Sequence, residues 1–496
     1  MSAECEIGTK LRFVRGGRPR AASMGEAKPL DALVTRSHAW YSRSRMKYRL
    51  APESPLRRLA IALAVYIVCG AIFAFVAGPE RLTEHTAYNH YALLADAWIH
   101  GRHDLPRGPP PYSQNNDFAE FGGKTYISFP PFPALLMLPF VKVAGTPENF
   151  RDGQFVVWLA GLGPAFLFLV LEKVRRTGRS RRSEAENAVA ALLFAFGSVY
   201  FFTAVEGTVW FAALVVGVAL QALYVLFSLD AQRPLLAGAA LACAYMTRPP
   251  ILLSAPLFAL EALRVSCAEF PSEGTLVGRL RAAWQHLDKM AVTRKYVVFA
   301  LPILLAFGIS SFLNHARYLT WSPFDPGHEY LTVAWRARMM KWGVLSYHYL
   351  SKNLGVMLTI LPWLRPKGVT VGSPFQINEH GLALWFTTPL YLWLFRPRRR
   401  GFLYNAVLAS AVFPILMDLL YQNTGWRQFG YRFSNDYAIL LFVLLALGER
   451  AMGWSFRFAA IWSMGWNLFG AITFDRAAYD RFYYRDPSQT VLYQPD

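Results

Sequence analysis

Carboxylates, imidazoles and guanidinium groups crowd into three polar stretches of an otherwise apolar chain. Residues 79–128 carry Glu84, His90, Asp96, His100, His103, Asp104, Asp117 and Glu120. Residues 314–380 carry His315, Arg317, Asp325, His328, Glu329, Arg336, Arg338 and Lys341, and residues 422–434 carry Arg427 and Arg432. A carboxylate at an apolar boundary can take the proton of an acceptor hydroxyl or amine. An arginine can grip a phosphate through two parallel hydrogen bonds. Together these groups suit a phosphate-linked substrate whose lipid tail stays in a bilayer. Arg248 stands apart, because it sits beside Pro249-Pro250 inside an apolar run. A charge at membrane depth is costly and marks a functional site by default.

Blander readings apply to several of these groups. Asp96 on a surface helix can simply face water, and Asp117 and Glu120 can serve only a loop turn. Arg336 and Arg338 can be headgroup contacts, and Phe129-Pro-Pro-Phe-Pro133 reads as a structural turn. His100 and His103 have a spacing too common to define a metal site.

The elements that must position these groups are membrane helices. Of 496 residues 54% are hydrophobic and 17% charged, against roughly 25% charged in a soluble domain. The apolar residues fall in blocks of about 15–25, the length that spans ~30 Å of hydrocarbon. A soluble enzyme, a disordered chain, a coiled coil and a disulfide scaffold are excluded on this ground. The net charge of +19 fits Lys and Arg collected in cytoplasmic loops rather than a nucleic-acid surface. Cys5, Cys69, Cys243 and Cys267 are far apart, with no CxxC, so no disulfide framework or zinc site is visible.

Residues 1–56 read as a poorly ordered, basic cytoplasmic tail, with thirteen Lys/Arg against five Asp/Glu up to Arg58; Met24 and Met46 are alternative starts. The membrane domain covers 57–475, with outer loops 79–153 and 314–380, and 476–496 form a C-terminal tail. Leu59 to Gly78 is the first span, its N-terminal end cytoplasmic beside Arg57 and Arg58. Ala87 to His103 is expected as an amphipathic helix lying on the membrane surface. Residues 129–145 are expected as a half-inserted segment, because a full crossing would put the Arg cluster 173–182 outside. Spans follow at 154–171, 186–205 and 209–228. The run 235–262 is expected as a hairpin bent at Thr247–Pro250. Further spans are expected at 296–313, 381–396, 402–421, 435–448 and 457–474, roughly eleven crossings in all. A second membrane-hugging run is Leu345 to Leu364. The expected class is an all-α polytopic membrane protein of the plasma (inner) membrane.

Four stretches stand out together: Tyr91-Ala-Leu-Leu-Ala-Asp-Ala-Trp-Ile-His-Gly-Arg-His-Asp-Leu105, Phe121-Gly-Gly-Lys-Thr-Tyr-Ile-Ser-Phe-Pro-Pro-Phe-Pro133, Ala244-Tyr-Met-Thr-Arg-Pro-Pro250 and Gly430-Tyr-Arg-Phe433. In their order they resemble the GT-C superfamily of membrane glycosyltransferases, near its protein-O-mannosyltransferase and aminoarabinose-transferase members (family 39-like). The resemblance implies a GT-C-like bundle with extracytoplasmic juxtamembrane helices. It also implies transfer of a sugar from a polyprenyl-phosphate donor to an envelope glycan, lipid or protein. One departure matters: where the family carries an acidic pair before the Tyr, this chain has Asn89-His90. The base is therefore sought at Asp96 or Asp117, then at Glu84, with Glu206 matching a second acidic position. Arg248, Arg336, Arg338, Arg427, Arg432 and His328 are the candidates to hold the phosphate. No cofactor is expected, and the need for a divalent metal is left open. The rival readings are a transporter or lipid flippase, and an inactive scaffold of the same fold; nucleic acid is not an expected partner.

Overall fold

The structure is a computed structural model that describes residues 54–113, 117–270, 275–333, 336–364 and 372–484. The chain divides after Arg57 into a short N-terminal unit and a body, Arg58–Asp496. Of the first unit only residues 54–57 are described, so most of the expected basic tail lies outside the described residues, as do 485–496.

The body is helical: α1 (Pro55–Ala77), α2 (His90–Ile99), α3 (Phe132–Ala144), α4 (Asp152–Arg176), α5 (Glu184–Gly197), α6 (Tyr200–Glu206), α7 (Val209–Ser228), α8 (Pro234–Tyr245), α9 (Pro256–Val265), α10 (Lys289–Tyr318), α11 (Phe402–Leu420), α12 (Ala438–Leu447) and α13 (Trp454–Thr473). With long apolar helices and few strands, this is an all-α polytopic membrane protein. Among the described residues five helices, α1, α4, a continuous Val209–Ala231 that includes α7, α10 and α11, are long and apolar enough to cross a membrane. The pair α5 and α6, bent by 62°, makes a sixth if it counts as one span.

The count of about eleven crossings is therefore not reproduced helix by helix, and the reasons are local. Pro389 removes a backbone donor and splits the run 381–396 into a turn of helix, Leu384–Thr387, and a 3-10 segment, Pro389–Phe395. In α12 there are 10 residues, about 15 Å of helix, half of what a bilayer needs. That helix is apolar all round and almost wholly buried, as such a helix must be. It packs with α7 and an aromatic cluster of Phe194, Tyr200 and Phe442 at the centre of the body.

Two ends of the bundle are chemically distinct. At one end Arg179 pairs with Glu261 (2.7 Å) and with Asp230, and Arg264 with Asp230 (2.6 Å). Nearby Arg182 pairs with Glu186 (3.0 Å) and Arg399 with Glu449 (3.5 Å). Thus the basic runs 173–182 and 396–400 meet at this basic end. The α5 helix starts there with a capping box, Ser183 and Glu186 each satisfying the other's backbone N–H. Opposite lies a loop end, where Asp152 accepts from Thr86 (N–H 2.7 Å, hydroxyl 2.7 Å) and Val209 donates to the Tyr88 carbonyl. The segment ahead of α8 and the last turn of α9 both reach the basic end, through Asp230 and Arg264, so 235–262 is a hairpin with Arg248 at its tip. Both ends of α3 touch the loop end: Phe129, just before it, packs on His90 and Tyr91, and Glu148, just after it, accepts from Tyr112.

Small sheets tie the loops down. A hairpin pairs β1 (Phe118–Phe121) with β2 (Lys124–Ile127) in antiparallel register. Its two turn residues, Gly122 and Gly123, have φ of 59° and 74°, the left-handed pair that a two-residue hairpin turn requires. A second sheet joins β3 (Trp363–Leu364), β4 (Phe375–Asn378) and β5 (Tyr483–Tyr484), so residues 476–484 are packed onto the body.

Candidate functional site

Arg248 is placed by chain chemistry. A residue before proline is driven out of helical conformation, and Arg248 is extended (φ −143°, ψ 95°) between α8 and the 3-10 segment Pro249–Ser254. Its guanidinium reaches Asp436, donating from Nε to Oδ1 (2.9 Å) and Oδ2 (3.2 Å) and from Nη2 to Oδ2. Asp436 is buried in the 3-10 turn Arg432–Asp436 that leads into α12. The Asp418 carboxyl, on the last turn of α11, meets Asp436. The guanidinium also lies over the Phe433 ring, 5.1 Å from its centroid, a favourable cation–π placement.

Arg432 is the second cation of the cluster and differs in one respect. It is 5% exposed, it sits 5.1 Å from the Phe211 centroid, and among the described residues its side chain has no hydrogen bond or ion pair, Nε included. Burial, and then the charge of Arg248, push its pKa down to about 9, opposed by Asp117 and Tyr421. A buried cation without a counter-ion is expensive, so its surroundings favour an anion.

Side chains from the three polar loops stand next to this cluster. Asp117, just ahead of β1, accepts from Trp210 Nε1 (2.9 Å). The Tyr421 hydroxyl lies 3.2 Å from His328 Nε2. Arg338 donates to the Gln422 carbonyl (3.3 Å) and lies over Tyr349. Tyr91, fully buried on α2, feels the charge of Arg248, and among the described residues its hydroxyl has no hydrogen-bond partner. The half-buried groups Asp117, His328 and Arg338 thus lie on the loop side of half-buried Arg248 and buried Arg432, Asp418 and Asp436.

Of the residues singled out from the sequence, Asp117, Arg248, Arg432, His328 and Arg338 come together here. The others do not. Asp96 is half-buried on α2 and lies 3.4 Å from His100, one turn away; Glu84 is exposed. Arg336 is exposed and donates to the Glu329 carbonyl (3.1 Å). Glu206 is buried but paired with Arg81 (3.1 Å), and Arg427 bridges Glu379 and Asp475, 2.9 Å from each. These last two belong to a separate ionic cluster at the same end. His103 is lowered in pKa by burial and by Arg317, against Asp104. Among the described residues no three His, Cys, Asp or Glu side chains form a metal-ligand group.

Asp436, Tyr421 and Gln422 escaped the sequence reading. Asp436 could have been found as the one charge at the entry to the apolar run 438–447, by the same rule that singled out Arg248. The β1–β2 hairpin was also legible: Gly-Gly between Phe-Ala-Glu-Phe and Lys-Thr-Tyr-Ile is a two-residue turn between short β-prone runs.

No family model and no curated protein matches the chain. Among solved structures it is similar to an oligosaccharyltransferase of Archaeoglobus fulgidus in the apo form, with 14% identity over 83% of this chain and a TM-score of 0.39. It is also similar, at 14% identity and a TM-score of 0.40, to the same enzyme tethered by a disulfide to an acceptor peptide containing the NVT sequon. The chain spans little more than half of that protein's length, 56% and 55% in the two cases.

Proposed function

We propose that this protein is a membrane glycosyltransferase that moves a sugar from a polyprenyl-phosphate donor, of the undecaprenyl or dolichyl type, to an extracytoplasmic glycan, lipid or protein. The observation that carries the reading is the buried Arg432, which among the described residues makes no ion pair, beside Arg248 and facing the loop end of an apolar bundle. The donor phosphate docks between the two guanidiniums, with Arg338 and His328 at the rim and the isoprenoid in the lipid. Asp117 takes the proton of the acceptor O–H or N–H. The acceptor atom attacks the anomeric carbon, the bond from that carbon to the phosphate oxygen breaks, and its electron pair stays on the phosphate. Arg248 and Arg432 stabilise the charge that develops there, in a site of low dielectric. The products are the glycosylated acceptor and polyprenyl phosphate. The loop end faces outward and the basic end the cytoplasm, as the distribution of Lys and Arg favours.

A transporter or flippase needs ionisable groups along its pathway through the midplane; here Arg432 lies at the loop end over Phe211, and Arg248 and Asp436 reach deeper, against Gly217 and Gln221, as one joined cluster open to the loops, which favours the enzyme. The test is transfer by the purified protein from labelled polyprenyl-phosphate sugars to a panel of acceptors. Release of polyprenyl phosphate that falls at least 100-fold in Asp117→Asn, with normal expression, supports the reading. Release by no sugar and acceptor pair would remove it, and full activity of Asp117→Asn would remove the assigned base.

A further inference from the structure

At the basic end, apart from the Arg248 and Arg432 cluster, Arg181, Arg182, Arg398 and Arg399 line an open basin of about 540 Å³ together with Glu186 and Glu449. The carboxylates are already committed. Glu186 caps α5 through Ser183 and pairs with Arg182; Glu449 accepts from the Arg181 backbone N–H (2.9 Å) and faces Arg399. Arg182 is further spent on the Arg450 carbonyl. Arg181 and Arg398 remain, both exposed, and neither side chain has a hydrogen bond or ion pair among the described residues. Four cations against two anions leave the basin two charges positive, which favours an anionic ligand.

The walls of the basin say which phosphate. It adjoins an apolar crevice lined by Trp393, Leu394, Phe442 and Phe456, which shares Arg182 and Glu186 with it. Phe395 and Trp454, 78% and 84% exposed, stand in the flanking segments. Exposed aromatics beside arginines mark the level of lipid headgroups. We infer that this basin binds the phosphate of an anionic membrane lipid, with its chain against the exposed aromatics.

The full-length protein in a neutral detergent tests this by thermal unfolding with added phosphatidylglycerol, phosphatidylcholine or inorganic phosphate. Phosphatidylglycerol should stabilise the protein at concentrations where phosphatidylcholine and inorganic phosphate do not. The double variant Arg181→Gln/Arg398→Gln should need roughly 10–30-fold more of it, at about 1 kcal/mol for each arginine at a lipid surface. Arg294→Gln, an exposed arginine outside the basin, should behave as the parent. Equal stabilisation by inorganic phosphate would assign the basin to a soluble anion and overturn the lipid. An unchanged preference in the double variant, or no preference at all, would overturn the site.

Discussion

Arg432 pays for its place in the fold with an uncompensated charge. Removing it should therefore cost nothing in stability, whereas a structural arginine would be missed. We predict that Arg432→Gln unfolds at the same temperature as the parent or higher while transfer falls about 100-fold or more; calorimetry and the transfer assay on one preparation check both. Asp436 is the opposite case. Asp436→Asn strips the counter-ion from Arg248, and breaking a buried pair by removing one partner costs about 3–5 kcal/mol, read as a lower unfolding temperature. His380, buried and bonded to the Thr424 hydroxyl (2.8 Å), has its pKa pushed down to about 4 by burial and then by Lys352. Its folded state binds fewer protons than the unfolded chain between pH 4 and 6.5, so its contribution is present above pH 6.5 and is lost as pH falls through that window. The upper bound is about 3 kcal/mol. His380→Asn should flatten the pH dependence of the unfolding temperature across that range.

At the scale of elements, the candidate site depends on a turn and a close packing. The hairpin β1–β2 follows Asp117 directly, and its Gly123 has a φ that costs a side-chain residue about 1–2 kcal/mol. Gly123→Val should loosen the hairpin and lower transfer while leaving the transmembrane helices folded; protease sensitivity near residue 120 beside bulk helicity checks this. On α8, a Cβ at Gly238 would lie 2.1 Å from the Phe299 carbonyl oxygen, so backbone of α10 would have to move. Gly238→Val should lower the unfolding temperature of the whole body. Patterns of this kind decide how much the sequence tells. The Pro-Pro break at 249–250 was readable because proline acts locally. The neighbourhood of Asp117 and Arg432 was not, because it depends on how residues more than 300 apart in the chain come together. Asp96 is a candidate base by its place near the Asn89-His90 departure, yet position along a helix does not say what its side chain meets, which is His100 one turn on.

For the whole molecule, the separation of a basic end from a loop end was legible from charge alone: the Arg runs 173–182 and 396–400 had to share a side, and they meet through Arg182, Arg399 and Glu449. The number of crossings was less legible, since 381–396 and 435–448 are apolar enough to span but are broken or short. Which end faces outward is a prediction of charge asymmetry. Single cysteines at 117 and 398, in a chain freed of its own cysteines, should label from opposite sides of intact cells, 117 from outside; labelling of 398 from outside would invert the orientation.

Binding of polyprenyl phosphate tests whether Arg432 and Arg248 form the seat of a lipid-linked phosphate, without requiring the sugar or the acceptor. A ligand at 100 times its Kd stabilises a protein by about 2.7 kcal/mol. Polyprenyl phosphate should raise the unfolding temperature of the parent and of Arg181→Gln/Arg398→Gln alike, and Arg432→Gln should abolish the rise. A rise that survives in Arg432→Gln, or that disappears only in the double variant at the other end, would contradict this assignment of the phosphate seat.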